Sequence, residues 1–222
     1  MALLPAGLES ALAADRARAL ALNPDSVSRE TLQRLDRFVA LLLEKQQRMN
    51  LIAASTVPQL WTRHVADSLQ LLALAPEART WLDFGSGAGF PGLVIACALA
   101  DAPGSVVHLV ESTKKKAAFL ADAARDLNLP VTVHAERIED FAPANRVSFD
   151  VVTARAVAPL TRLLGYATPL LKTGAVGLFP KGQDVGVELT EASKSWKIEA
   201  ELIPSWTDPH GRIVVVRHAD QR

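Results

Sequence analysis

The segment Trp81-Leu82-Asp83-Phe84-Gly85-Ser86-Gly87-Ala88-Gly89-Phe90-Pro91-Gly92 decides how this chain folds. An apolar run containing an acid leads into four closely spaced glycines, and Leu93-Val94-Ile95-Ala96 then begins a second apolar run. This order predicts a buried strand, a tight turn and the start of a helix. Glycines let the backbone adopt left-handed angles and let a ligand approach without a Cβ in the way. The segment therefore predicts a nucleotide-like ligand on a strand–turn–helix unit.

Two ligands compete for this turn. Gly87-x-Gly89-x-x-Gly92 fits the dinucleotide fingerprint, with Glu111 about 20 residues further on as the acid that binds a ribose. However, Asp83 stands two residues before Gly85, and acid-x-Gly-x-Gly-x-Gly resembles the first motif of class I methyltransferases that use S-adenosyl-L-methionine (AdoMet). AdoMet carries an amino group and a sulfonium, and both favour a nearby carboxylate, which Asp83 can supply directly or through water. The turn favours AdoMet without excluding NAD.

Composition limits the class of protein. The 222 residues suffice for one large domain, or for a domain with an extension. The 24 basic and 24 acidic residues give no net charge, which weighs mildly against nucleic acid as a partner but allows a local basic face. The single Cys97 excludes an internal disulfide. Without an apolar run that could span a bilayer or a secretory signal pattern, we expect a cytoplasmic protein that makes no membrane contact. The sequence does not indicate an oligomeric state, and a monomer is the default expectation.

Residues 1–75 carry no strand signal and predict a helical N-terminal extension. We expect a helix over Leu3 to Leu22, a second from a cap at Ser28 to about Arg48, and a third from a cap at Thr56 through Leu72. The third helix contains Arg63-His64-x-x-Asp67-Ser68-Leu69, in which Arg63 and Asp67 are four residues apart and can pair. This motif alone indicates a surface helix. However, the helix that carries it leads directly into the strand before the glycine turn, which favours a role for His64 in the site.

From residue 76 onward, strands and helices alternate, which predicts an α/β domain over 76–222. We expect seven strands, of which the last is antiparallel: 80–84, 106–110, 131–133, 149–153, 174–179, 198–203 and 212–216. In such sheets, ligands bind at the carboxyl ends of the strands, next to the point where strand order reverses. Three residues are therefore site candidates: Glu111 for a ribose diol, Ile138 for packing on adenine, and Arg155 after the fourth strand.

Taken in order, these residues resemble the RsmG (GidB) family of bacterial 16S rRNA guanine-N7 methyltransferases. The matching segments are Asn50-Leu51, Arg63-His64-x-x-Asp67-Ser68-Leu69, Asp83 to Gly92, Arg137-Ile138-Glu139, Arg155-Ala156-x-Ala158 and Lys181-Gly182. The resemblance implies a Rossmann-like class I AdoMet methyltransferase fold and the 16S rRNA, or the small ribosomal subunit or its assembly intermediate, as partner. It implies AdoMet contacts at Gly85, Phe90, Glu111, Ser112, Thr113, Ile138, Glu139 and Arg155, beside the motif residues Asp83 and Gly87. It also implies that Arg137, Lys181 and Arg212 lie toward the RNA, to which we add Arg63 and His64. Many relatives carry Asp where this chain has Glu111, but the longer carboxylate should still reach a diol.

Reaction chemistry agrees with guanine N7 as the acceptor. The segment after strand four lacks an Asn/Asp-Pro-Pro-aromatic tetrad, which argues against methylation of an exocyclic amino group, and Cys97 does not stand at a strand end. Guanine N7 has a free lone pair and needs no general base, so we expect no metal and no catalytic base, with Arg155 as the candidate catalytic side chain. Three alternatives stay open: an AdoMet-dependent small-molecule methyltransferase, an NAD-linked oxidoreductase, and a non-catalytic AdoMet-binding protein that docks on ribosomes.

Overall fold

A computed structural model describes residues 7–22 and 27–222. The elements in chain order are α1 (Leu8–Ala21), α2 (Arg29–Gln46), a 3-10 helix (Ala54–Gln59), a π-helix (Trp61–Ala66), α3 (Asp67–Leu74), β1 (Thr80–Phe84), α4 (Gly92–Leu99), β2 (Val106–Val110), α5 (Lys114–Asp126), β3 (Val131–His134), α6 (Ile138–Ala144), β4 (Val151–Ala154), α7 (Leu160–Leu171), β5 (Val176–Lys181), α8 (Val185–Ser193), β6 (Trp196–Pro204) and β7 (Arg212–Gln221). The leucines at positions 3 and 4, where the first predicted helix begins, lie outside the described residues.

The strands form one seven-stranded sheet in the order β3-β2-β1-β4-β5-β7-β6. Neighbours among β1 to β5 pair in parallel, whereas β7 runs antiparallel to both β5 and β6. The predicted α/β class and the antiparallel last strand are thus confirmed. Strand order reverses at β1, which lies between β2 and β4, so the loops after these three strands meet at one edge of the sheet.

The alternation of side chains along β1 divides the core into two layers. Trp81 belongs to a buried cluster that includes Phe38 of α2 and residues of α4, while Leu82 and Phe84 belong to a cluster with α7 on the opposite face. The N-terminal helices therefore share a core with the sheet. The boundary near residue 75 stays a prediction, since shared packing does not define where a domain ends.

The third predicted helix is not a single α-helix. Thr56 lies inside the 3-10 helix, whose N-cap is Ala53, so the predicted cap at Thr56 is wrong. A π-helix follows, and its first N–H groups, those of Trp61 and Thr62, donate to the buried carboxylate of Asp15 at 2.8 and 3.1 Å. The wider π turn changes which side chains share a face, and the ion pair of Asp67 is with Arg155 rather than with Arg63.

Other boundaries moved by a few residues. The Ser28 cap is confirmed, because its hydroxyl accepts from the N–H of Thr31, but α2 ends at Gln46 rather than near residue 48. Strand β7 continues to Gln221, five residues beyond the predicted end, since β6 pairs with it over its whole length. Within the described ranges, no helix is both long and apolar enough to cross a membrane.

Candidate active site

The turn between β1 and α4 depends on glycines at positions with left-handed backbone angles. Gly85, Gly87 and Gly89 have φ values of +65°, +55° and +95°. A Cβ on Gly85 would lie 2.6 Å from a methyl group of Val157, so the turn and the β4–α7 loop touch at this point. By contrast, the nearest atom to a Cβ on Gly87 would be 3.7 Å away. The space beside Gly87 is therefore open to a ligand.

Glu111 follows β2 and closes the side of this turn. One carboxylate oxygen accepts from the N–H of Gly87 at 2.9 Å, and the other accepts from the N–H of Thr113 at 2.7 Å. Each oxygen keeps a further lone pair, so the carboxylate can still accept from a diol. Ser112 and Thr113 are exposed in the short turn before α5, next to the same opening.

Asp83 is only 1% exposed, which makes it a buried anion. Its two oxygens accept from the Thr153 hydroxyl at 3.0 Å and from the N–H of Gly92 at 3.2 Å. Burial raises its pKa to about 6, because no positively charged side chain among the described residues donates a hydrogen bond to it. A cationic ligand beside this carboxylate would add to the favourable charge of Arg155, which acts on Asp83 without a hydrogen bond.

Phe90 at the end of the turn is covered by Arg155 and His64. The Arg155 guanidinium lies 5.5 Å from the Phe90 ring centroid, and the His64 ring stacks on the same ring at 4.9 Å. Arg155 Nη2 lies 2.6 Å from His64 Nδ1, and Nη1 donates to the backbone oxygen of Arg63 at 3.0 Å. The structure thus brings together three predicted site residues, and holds Arg155 toward the N-terminal helical segment.

Neither Arg155 nor His64 is suited to accept a proton. Burial lowers the pKa of His64 to about 3, with the Arg155 charge as the second cause, so the imidazole is neutral. Because its Nδ1 accepts from Arg155, its Nε2 carries the proton and donates to the Thr56 hydroxyl at 3.2 Å. Burial also lowers the pKa of Arg155, but a guanidinium stays protonated in proteins.

The loop after β3 places the remaining cofactor candidates. Ile138 begins α6 and packs partly buried against the core cluster on the α7 side. Glu139 is exposed, and its carboxylate accepts from Arg162 and from the Tyr166 hydroxyl, both at 2.7 Å. Arg137 is also exposed and stands just before α6. Contacts of these residues with an adenine stay predictions.

A cavity of about 980 Å³ lies beside the turn. Its walls come from α1, the 3-10 and π segment, residues 155–159, residues 180–182 and the β6–β7 loop. Four of the five predicted RNA-facing residues line it, namely Arg63, His64, Lys181 and Arg212, together with Arg155. Arg137 does not belong to this lining. Val157 lines the cavity and also contacts the position of a Gly85 Cβ, so turn and cavity share a wall.

Lys181 is one of the predicted RNA-facing residues, but its ammonium is already bonded within the protein. It donates to Glu188 at 2.7 Å and to the backbone oxygen of Ala158 at 2.9 Å, and only 9% of its side chain is exposed. The Glu188 carboxylate also accepts from the N–H of Leu160. Lys181 and Glu188 therefore hold the β4–α7 loop, a role that the sequence did not indicate.

Asp67 is the second group that the sequence pattern did not identify as part of the site. One of its oxygens accepts from the hydroxyls of Thr207 at 3.1 Å and Ser205 at 3.4 Å, and the other is 3.5 Å from Arg155 Nη1. Its place in the 63–69 motif was a signal, but its partners lie more than 85 residues away in sequence and could not be read from spacing.

The sheet order, the antiparallel β7 and the glycine turn between acidic strand ends define a Rossmann-like class I methyltransferase fold. The O-methyltransferase TomG of Streptomyces achromogenes, solved with SAM, matches this chain with a TM-score of 0.59 at 18% identity. The match covers 96% of this chain and 100% of the TomG chain. An O-methyltransferase from Bacillus cereus, solved with SAH, has a TM-score of 0.59 at 16% identity, with coverage of 94% of this chain and 99% of that chain. Likeness at such low identity shows the fold alone.

Sequence comparison identifies the family. Residues 31–210 match the model of the GidB family, described as rRNA small subunit methyltransferase G, and the chain belongs to this family. A protein named ribosomal RNA small subunit methyltransferase G from Bradyrhizobium sp. (strain BTAi1) is 59% identical over 92% of this chain and 91% of its own length. One of the same name from Rhodopseudomonas palustris (strain BisB18) is 59% identical over 91% of this chain and 86% of its own length.

Proposed function

We propose that this protein transfers a methyl group from AdoMet to N7 of a guanine in the 16S rRNA of the small ribosomal subunit. The observation that carries the guanine-N7 assignment is the chemistry of the two side chains that lie between the glycine turn and the cavity, Arg155 and His64. Arg155 is a protonated guanidinium, and His64 is a neutral imidazole whose acceptor nitrogen is occupied. Neither group can remove a proton from a substrate, which favours an acceptor atom that already has a free lone pair, as guanine N7 does.

The features of the turn fit AdoMet. Asp83 is a buried carboxylate to which no cationic side chain among the described residues donates a hydrogen bond, and it would balance the sulfonium or the amino group. Glu111 retains lone pairs for the ribose hydroxyls, and the open space beside Gly87 lets the cofactor lie close to the backbone of the turn. AdoMet supplies the electrophilic methyl group. In the proposed assignment, the other cofactor contacts come from Gly85, Phe90, Ser112, Thr113, Ile138, Glu139 and Arg155.

The protein contributes alignment and exclusion of water to the reaction. With AdoMet bound, N7 would form the new bond to the methyl carbon as the carbon–sulfur bond breaks, and the positive charge would pass from sulfur to the purine ring. No proton transfer is needed, so the barrier falls mainly because the two reacting atoms are held in line and kept dry. Arg155 and His64, packed on Phe90, support the wall between the turn and the cavity.

The cavity fits an RNA base that has left its stack. Its volume of about 980 Å³ is enough for a nucleotide, and Arg63 and Arg212 supply positive charge at its walls. Base edges carrying N7 are inaccessible in the deep, narrow groove of A-form RNA, so the target guanine must be unpaired or flipped. We assign Arg63, His64, Arg137, Lys181 and Arg212 to the RNA side, on which Lys181 holds the β4–α7 loop through Glu188 and Arg137 lies outside the cavity lining. An enzyme with this substrate would work in the cytoplasm, where ribosomal subunits assemble.

The test uses labelled AdoMet with small subunits, or naked 16S rRNA, that lack the modification. Label should enter the RNA and be recovered as 7-methylguanosine after digestion. A matched RNA with 7-deazaguanosine at the labelled position has carbon in place of N7 and should take up no label there. Label in the 7-deaza RNA would exclude N7 as the acceptor, and label in a small metabolite alone would favour a small-molecule methyltransferase. Binding of AdoMet and of subunits without any transfer would indicate a non-catalytic protein.

A further inference from the structure

The Asp67 carboxylate lines the cavity and is incompletely satisfied by the protein. It begins α3, and only 15% of its side chain is exposed. Oδ1 accepts from two hydroxyls of the β6–β7 loop, those of Thr207 and Ser205. Oδ2 has a single contact in the described structure, with Arg155 Nη1 at 3.5 Å, which is too long for a strong charge-assisted bond. Oδ2 is therefore a nearly buried anionic acceptor with spare capacity.

The other acids of the cavity differ from Asp67. Asp15 accepts from two backbone N–H groups and from the side chains of Thr62 and Arg18, so both its oxygens are engaged. Glu188 is neutralised by the Lys181 ammonium at 2.7 Å. Asp208 accepts from a backbone N–H two residues away, within its own loop. Among these four carboxylates, only Asp67 combines burial with a loosely bonded oxygen.

A buried carboxylate of this kind is stable only when donors complete its hydrogen bonds. Burial is also the main reason that the pKa of Asp67 is raised. Guanine offers two adjacent donors, N1–H and the N2 amino group, on its Watson–Crick edge, and enzymes that flip a base commonly read that edge. Adenine and cytosine present an acceptor nitrogen on the same edge, which a carboxylate would repel, and uracil presents a single N–H.

The position of Asp67 relative to the turn suits this role. Arg155 contacts both Asp67 and the Phe90 ring at the end of the glycine turn. Val157 lies between Gly85 of the turn and the cavity. A guanine whose N1–H and N2 amino groups meet Asp67 keeps N7 free on another edge of the purine.

We infer that Asp67 is the specificity-determining residue of this enzyme, and that it selects guanine by accepting hydrogen bonds from N1–H and the N2 amino group. This inference rests on the proposed function. It adds a residue for base recognition to a site in which the RNA-facing residues assigned above are cations or the neutral His64.

Inosine provides the substrate for the test, because it keeps N7 and N1–H but lacks the N2 amino group. We compare kcat/KM for two RNAs that differ only by guanosine or inosine at the target position. The wild-type protein should prefer guanosine by roughly 10- to 100-fold, as expected for one hydrogen bond to a charged group. Asp67→Asn should lower methylation of the guanosine RNA by a similar factor and bring the guanosine-to-inosine ratio to within about 3-fold of one. Asp67→Glu, which keeps the carboxylate, should retain part of the preference.

Asp15→Asn is the matched control. It changes a second buried carboxylate of the same cavity, but one whose oxygens are taken up by the protein, so it should slow both RNAs equally and leave their ratio unchanged. AdoMet affinity, measured by calorimetry, should be within about 3-fold of wild type in Asp67→Asn, which shows that the protein is folded. If Asp67→Asn does not fold, Asp67→Glu provides the test. A guanosine-to-inosine ratio identical to that of the wild-type protein would then contradict the role of Asp67 in selecting guanine.

The outcomes separate this inference from the proposed function. A wild-type protein that methylates guanosine and inosine RNAs equally well overturns the role of Asp67 and leaves N7 methylation intact. So does an Asp67→Asn variant that slows both RNAs but keeps the wild-type ratio, since that result indicates a structural role alone. A wild-type protein that forms no 7-methylguanosine in RNA contradicts the proposed function itself.

Discussion

Replacing Asp83 by Asn should stabilise the cofactor-free protein while weakening AdoMet binding. Burial raises the pKa of Asp83 from its usual 3.8 to about 6, so the folded state holds this proton more tightly than the unfolded state does. The stability that the protonated form contributes is fully present below pH 3.8 and is lost as the pH rises through 6. At pH 8 the ionised Asp83 therefore lowers the free energy of unfolding by about 3 kcal/mol, since each pKa unit corresponds to about 1.4 kcal/mol.

Asn removes this cost but introduces an amide NH2 group that needs an acceptor. The Thr153 hydroxyl can accept from it, because its own hydrogen can turn to the backbone oxygen of Leu82, which is 3.3 Å away. With allowance for imperfect geometry, we expect a net gain of about 1–2 kcal/mol at pH 8. For a chain of this length, that gain corresponds to a rise in melting temperature of roughly 2–8 °C.

Scanning calorimetry of both proteins without AdoMet at pH 4 and pH 8 tests this expectation. The variant should melt higher at pH 8, and the difference should largely disappear at pH 4, where Asp83 is mostly protonated in the wild-type protein. AdoMet affinity, measured by titration at pH 8, should fall roughly 10- to 100-fold, as for a lost bond to a charged group. A variant that melts no higher than wild type at pH 8 would refute the burial cost, and unchanged AdoMet affinity would refute the cofactor role of Asp83.

Three further predictions concern the supporting structure. Gly92→Ala should prevent stable folding, because its Cβ would overlap Leu109 and the Asp83 carboxylate. The control Gly186→Ala, in the open part of α8, should change the unfolding free energy by at most about 1 kcal/mol in urea titrations. Equal effects of the two substitutions would contradict the packing around Gly92. Asp15→Ala should lower the unfolding free energy by about 2–4 kcal/mol, because two N–H groups lose their acceptor; a loss below about 0.5 kcal/mol in the same titration would show that water replaces the carboxylate. Nitrogen NMR of His64 should show a neutral ring protonated at Nε2 throughout pH 5–8, since its pKa is lowered to about 3; a titration in that range would mean that Arg155 does not bond to Nδ1.

The sheet and the ligand turn could be predicted because their signals are local. The apolar run of β1, the glycines and the start of α4 lie within a dozen consecutive residues, and each constrains the backbone directly through burial or φ. Glu111 was predicted from its fixed distance along the chain, and the structure brings it to Gly87 of the turn. Its role as a cofactor ligand remains a prediction.

The helical segment before the sheet shows where local signals are insufficient. Thr56 and Pro58 resemble the start of an α-helix, but the chain forms a 3-10 helix and then a π-helix. Asp15, about 46 residues earlier, binds the N–H groups at the start of the π-helix. Spacing within the segment could not reveal a partner from another helix.

The sequence by itself determined the order of strands and helices, the glycine turn and the acids at the strand ends, since hydrophobic periodicity and backbone sterics act between near neighbours. Only the tertiary structure decided that Arg155 contacts His64 and Asp67, that Lys181 pairs with Glu188, and that Asp67 faces the cavity. These contacts depend on β4 lying beside β1 and on the β6–β7 loop reaching α3, elements that are some 70 to 140 residues apart. The strands determine the position of the site, and the packing of distant loops determines which side chains meet there.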